Sequence, residues 1–198
     1  MKIVLLGSGK GSNAKAILDA HTHGLLGLAE PIAIISDQAE APILSFGPQF
    51  GIPSHFLSAA PFKTKLAGEA EHRYITKLQE YKPDLIILAG FMRVLKPPLL
   101  KAFSDQIINL HPSLLPAFKG LNAIEQAFNY GVRYTGCTVH WVSPEVDAGR
   151  IIGQSVVPIL ARDTLESVTQ KVHAAEHELL PKVIKQLSLT RQSSLPSR

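Results

Sequence analysis

The sequence predicts an α/β protein: a Rossmann-like, mostly parallel twisted sheet with helices on both faces and a mixed C-terminal part. Three observations carry this. Short, uniformly apolar runs alternate with helical patterns over the first 110 residues or so, the signature of parallel strands joined by right-handed crossovers. The runs lack the in–out alternation of half-exposed strands, so both faces are to be covered. After about residue 134 the pattern changes to longer, more mixed segments.

The elements follow in order. Residues 2–6 (KIVLL) form the first strand, ended by Gly7 and Ser8. Ser12 and Asn13 can cap a helix carrying Ala16, Ile17 and Ala20 at helical spacing. Residues 31–36 (PIAIIS) read as the second strand. Pro42, Pro48, Pro53 and Pro61 break residues 37–65 into short elements and loops. A helix over 67–81 is stopped by Pro83. The strands 84–90 (DLIILAG) and 106–110 (QIINL) follow. Residues 134–142 and 151–160 read as a half-exposed pair that includes an antiparallel strand. Asp163 and Glu166, three apart, open a long helix whose buried face is Leu165, Val168, Val172, Leu179, Val183 and Leu187. This organisation gives one domain over 1–187 and a fraying tail over 188–198.

Composition narrows the class. With 45% hydrophobic and 18% charged residues the chain is globular. The formal charge of +4 is too mild to imply nucleic acid by itself. No apolar run reaches the roughly 18–20 residues of a membrane span. The apolar start is broken by Gly7, shorter than the roughly 7–15 residues of a secretory signal. The lone Cys137 excludes an intramolecular disulfide framework and a zinc finger. The expectation is a soluble cytoplasmic enzyme or binding protein.

Two segments carry the chemistry. Gly7-Ser8-Gly9-Lys10-Gly11-Ser12-Asn13 lies between a strand and a helix. It is either a tight turn without a ligand or an anion site built on glycines and a helix N-terminus, and three glycines with Lys, Ser and Asn favour phosphate. It lacks the P-loop spacing, and it misses the dinucleotide fingerprint because position 12 is Ser. Asn109 and His111 sit at i and i+2 at the end of a strand, where α/β sheets place ligand chemistry. They pair a carbonyl-directed donor with a group that carries a proton near neutrality, or they are a strand end with an incidental His. Asp147 in Val146-Asp147-Ala148-Gly149 is ordinary turn chemistry, or an acid that orients His111. His173-Ala174-Ala175-Glu176-His177 matches a zinc pattern but shows no third ligand, so no metal is expected. Cys137 is read as inert packing, since His140 at i+3 points to the opposite face.

IVLLGSGKGSN, IILAGFMRVL, INLHPSLLPAFKG, NAIEQA, GCTVHWV and VDAG occur in one order over residues 2–187. Together they resemble the glycinamide ribonucleotide formyltransferases, folate-dependent enzymes of purine synthesis. The resemblance implies the formyltransferase fold and transfer of a formyl group from 10-formyltetrahydrofolate to the amine of glycinamide ribonucleotide, without metal or nucleic acid, in a monomer or homodimer. It implies that Gly11, Ser12 and Asn13 hold the substrate phosphate and that Glu176 touches the ribose–phosphate end. Arg93, Val94 and Leu95 would line the pterin pocket largely through backbone, with Ile108 nearby. Asn109, His111 and Asp147 would be the catalytic group, and His140 would support the Asp147 side. Three positions depart from the family pattern: Arg150 follows Gly149 where Pro is common, Ile124 stands for His, and His173 for Gln or Lys. The competing readings are a formyltransferase for another amine and a non-catalytic nucleotide- or folate-binding protein.

Overall fold

Strand β1 (Lys2–Leu6) is the centre from which the sheet grows in both directions. In the computed structural model, which describes residues 1–193, it pairs in parallel with β2 (Glu30–Ser36) on one side and β4 (Leu85–Leu88) on the other. β3 (Ser54–Phe56) flanks β2, and β5 (Ile107–His111) flanks β4, both parallel. β6 (Tyr134–Trp141) and β7 (Ile151–Pro158) complete the order β3-β2-β1-β4-β5-β6-β7 as antiparallel strands. The expected α/β sheet with a mixed C-terminal part is therefore present.

The apolar runs are uniform because each strand feeds two cores. Ile3, Leu5, Ile34, Ile87, Ile108 and Leu110 pack in one layer with α1 (Ser12–Thr22) and α6 (Leu165–Ser193). Val4, Leu6, Ile35, Ile86, Leu88 and Ile107 face the other layer, with α3 (Gly68–Tyr81) and Leu99 of α4 (Pro97–Ala102). A short 3-10 turn (Pro42–Ser45) and α2 (Phe46–Phe50) fill the proline-broken stretch, and α5 (Ala123–Tyr130) precedes β6. No helix among the described residues is long and apolar enough to cross a membrane.

Four expectations are corrected. The N-cap of α1 is Gly11, in the left-handed region at φ 74°, with no side-chain cap; Asn13 is turned toward α6 instead. The α6 cap is Thr164 with Ser167: each backbone N–H donates to the other's hydroxyl, at 3.0 and 3.2 Å. Asp163 is drawn into a bond with Lys171. β6 is buried from Thr135 to His140 rather than half-exposed, because Cys137 and Val139 sit in the α6 core while the loop after β5 covers the other face. Only β7 keeps the half-exposed pattern. The segment expected as a tail is helical to Ser193, and Ser188 is buried, accepting from Leu28 N–H and donating to Leu26 O. Residues 194–198 lie outside the described residues.

Candidate active site

The strand order reverses between β1 and β4, and the loops leaving their carboxyl ends meet there. Ser8 ties them together: its N–H donates to Gly90 O at 3.0 Å, and its Oγ accepts from Met92 N–H at 2.8 Å. The turn from Gly7 to Gly11 is packed against Ile43. A Cβ on Gly7 would fall 2.5 Å from Ile43 Cδ1 and 2.9 Å from Ala89 O. On Gly11 it would fall 2.7 Å from Ile43 Cγ1, at a positive φ that L side chains avoid. These glycines put the N-terminus of α1, with its free N–H groups, at the crevice.

Beside it runs a polar chain. Asn13 Nδ2 donates to Glu176 Oε2 at 3.2 Å, and His173 Nδ1 meets the same oxygen at 2.9 Å. Glu176 is buried, and its hydrogen bond raises the basicity of His173. Asn13 Oδ1 is buried without a partner. The zinc-like pattern is thus drawn into this chain. Among the described residues no group of three or more His, Cys, Asp or Glu is placed to hold a metal ion.

β5 extends to His111, so Ile107, Asn109 and His111 share one face while Ile108 and Leu110 face the other layer. His111 is 5% exposed. Its Nε2 lies 2.8 Å from Phe118 O, and its Nδ1 lies 3.3 Å from Asp147 Oδ2. Both ring nitrogens therefore face oxygen acceptors. Asp147, at φ 51°, also accepts from Gly120 N–H at 2.9 Å. Burial works against its charge, yet hydrogen bonding from His140 and Gly120 and the nearby imidazoles outweigh that. The carboxyl is held below its ordinary range.

His140 pairs with Asn109 across β5–β6. Its Nδ1 donates to Trp141 O at 2.9 Å, and its Nε2 lies 3.3 Å from Asn109 Nδ2 and 3.7 Å from Asp147 Oδ1. Neutral, Nε2 accepts from the Asn109 amide; protonated, it turns its proton toward Asp147. The first arrangement leaves the second Asn109 N–H for a ligand. Asn109, His111, Asp147 and His140 therefore come together, the grouping that the family resemblance implies.

The expected pterin residues are placed differently from one another. Arg93 holds the buried Asp37 carboxylate, with Nε and Nη2 both 2.6 Å from Oδ2. Val94 N–H donates to Thr64 O and its carbonyl accepts from Leu66 N–H, each at 3.0 Å, so that backbone is already paired. Leu95 is in the α3/α4 core, and Ile108 is fully buried in the opposite layer. A cleft of about 390 Å³ instead opens between α4 and the 142–144 segment, lined by Leu100, Phe103, Ile107, Val142, Ser143 and Pro144. The strand parity of Asn109 was the available signal: Ile107, not Ile108, shares its face. The departures from the family pattern are accommodated. Ile124 is buried core, and the Arg150 guanidinium lies 5.9 Å from the Trp141 ring.

Cys137 is buried, and burial pushes its thiol up to about 12, so it supplies no thiolate at neutral pH. What remains is an amide, an imidazole between two oxygen acceptors and a carboxylate beside a glycine-rich turn. That chemistry suits a group-transfer enzyme in which the acceptor attacks directly. The chain belongs to the formyl transferase family, whose model matches residues 1–184. It is 39% identical over 186 residues to the phosphoribosylglycinamide formyltransferase of Bacillus subtilis, covering 94% of each chain. It is likewise 39% identical over 183 residues to the trifunctional purine biosynthetic protein adenosine-3 of Bos taurus, but spans only 18% of that protein's length. The crystal structure of phosphoribosylglycinamide formyltransferase from Bacillus halodurans superposes with a TM-score of 0.90 at 36% identity, over 100% of both chains.

Proposed function

We propose that this protein transfers the formyl group of 10-formyltetrahydrofolate to the primary amine of glycinamide ribonucleotide. The products are the N-formyl ribonucleotide and tetrahydrofolate. The observation that carries this reading is His111 held between Phe118 O and Asp147, on the same strand face as Asn109. The amine nitrogen attacks the formyl carbon and a tetrahedral oxyanion forms. An Asn109 N–H and the His111 imidazolium stabilise it, a task worth roughly 3–4 kcal/mol per donor. The bond from carbon to the folate nitrogen then breaks, and a proton from the amine reaches that nitrogen through water, with Asp147 accepting and returning it. The ribonucleotide phosphate docks on Gly11, Ser12 and Asn13, with Glu176 beside its ribose. The pterin enters the cleft lined by Ile107 and Val142. We assign the reaction to the cytoplasm, to a monomer or homodimer with a single catalytic domain, and to two small-molecule substrates without metal or nucleic acid.

Formyl transfer to glycinamide ribonucleotide by the purified protein, followed by folate absorbance, tests the assignment. Turnover with a different amine in a substrate panel, and none with this one, would overturn it. Two expectations follow from the site. Gly11→Val is expected to raise KM for the ribonucleotide by about 10-fold or more, because a displaced turn misaligns the phosphate N–H groups, while KM for the folate stays near its starting value. Equal rises for both substrates would argue against the phosphate assignment. Cys137→Ala is expected to keep most activity, since direct attack forms no thioester; a loss near 10³-fold in a folded variant would point to covalent catalysis.

A further inference from the structure

His111, Thr138 and Gln154 form one row across three strands: His111 is the register partner of Thr138, and Thr138 that of Gln154. Partners in register share a face. The loop leaving His111 arches back over this row. The Thr138 hydroxyl, fully buried, donates to Ser113 O at 2.7 Å and accepts from Leu115 N–H at 3.1 Å and Gln154 Nε2 at 3.0 Å. The amide nitrogen of Gln154 also donates to Leu115 O at 3.0 Å. Within the loop, Ser113 N–H returns to His111 O at 2.9 Å, and Ser113 Oγ donates to Ala117 O at 2.6 Å. The next residue is Phe118, left-handed at φ 53°, whose carbonyl meets His111 Nε2.

We infer that Gln154, on the edge strand β7, is a positioning residue for His111. Its two N–H groups clamp the middle of the loop to the sheet, and the Ser113 bonds carry that constraint to the carbonyl of Phe118. Without the clamp, Leu115 O and one lone pair of Thr138 lose their donor, and the loop is free to lift. The acceptor on His111 Nε2 then goes with it. Gln154 acts through the loop, and the kinetic side of the inference rests on the formyl-transfer reading.

The test is Gln154→Glu, which keeps the shape and removes both donors. Gln154 is solvent-exposed, so the fold tolerates the change. Proton NMR of the wild type is expected to hold a slowly exchanging downfield imidazole N–H that disappears in His111→Ala and so belongs to His111. In Gln154→Glu that signal is expected to exchange away, and kcat to fall about 10-fold, the scale of a small misplacement. Both KM values should stay within about twofold, because binding groups are untouched. Thr138→Ser, which keeps the hydroxyl, should retain the signal. If the Glu variant does not fold, Gln154→Met, of similar length and without donors, carries the same expectation. A His111 signal that persists in the folded donor-less variant overturns the inference. Wild-type protein inactive on glycinamide ribonucleotide would instead overturn the proposed reaction, while the ring signal still decides the positioning role.

Discussion

Replacing Gly149 with alanine is expected to remove nearly all turnover while leaving the sheet folded. A Cβ at this position would lie 1.7 Å from Trp141 O and 2.8 Å from its carbonyl carbon. Ordinary contact needs about 3.5 Å, and the obstacle is backbone in β6, not a side chain that can rotate. The same carbonyl accepts from His140 Nδ1, and Trp141 N–H donates to Arg150 O, each at 2.9 Å, so the 142–150 loop closes on the strand at the point of collision. The loop is the softer partner and must retreat by more than an ångström. Asp147, two residues away, retreats with it from His111 and from Gly120 N–H. Misplacement on that scale costs about 10²-fold, and loss of the acid–base group costs 10²–10⁴-fold. The overpacking itself should cost about 1–3 kcal/mol of stability. Steady-state kinetics with a thermal melt separate the two: a folded protein with little activity is expected. Ala148→Gly, beside it and without a collision, is expected to be mild. Turnover near wild type in Gly149→Ala would show that the position of Asp147 does not limit the reaction.

The strands that were legible are those that two layers cover. β1, β2, β4 and β5 are continuous apolar runs because each alternates between the two cores, and that leaves a trace in the sequence. β3 leaves none: three residues, Ser54-His55-Phe56, pair with β2 alone. α4 is a single short helix with two prolines in its first turn and one buried residue, Leu99. β6 reads as half-exposed because the cover on its second face is a loop, held by bonds to Thr138, and a loop imposes no periodicity. The α1 cap eludes the rule for Ser and Asn because Ile43 presses on Gly11 and the backbone turns left-handed there.

The site was legible where one element sets the geometry. Asn109 and His111 lie on one strand, so their spacing alone puts them together. Asp147 lies 36 positions beyond His111 in the sequence, and its placement depends on the β5–β6 register and on the close approach at Gly149. Beyond His140, the remaining partners of the dyad are main-chain atoms, Phe118 O and Gly120 N–H, which no residue type announces. Ile108 is apolar and near the site in sequence, but it faces the opposite layer, and strand parity gives the cleft to Ile107.

Asp147 and His111 are expected to fail as one unit. Asp147→Asn keeps the shape and an acceptor for Gly120 N–H but removes the charge that faces His111 Nδ1 at 3.3 Å. The imidazolium then loses its counter-charge in a buried site. Turnover should fall by about 10²-fold or more, the usual scale for a positioned acid–base group, while both KM values change little because the charge matters most when the oxyanion forms. His111→Ala should cost a similar amount. The double variant should be little worse than either single one, since removing either partner already breaks the pair. The pH dependence has a definite sign. The folded carboxyl of Asp147 is held below its ordinary range, so its contribution to stability is fully present above about pH 4, near the unfolded value, and is lost only as pH falls through the lower folded value. Mild acidification therefore leaves Asp147 ionised, so no limb of the rate profile above about pH 4 is expected to come from this carboxyl. Losses that multiply fully in the double variant would mean that the two residues act independently, and the dyad would have to be abandoned.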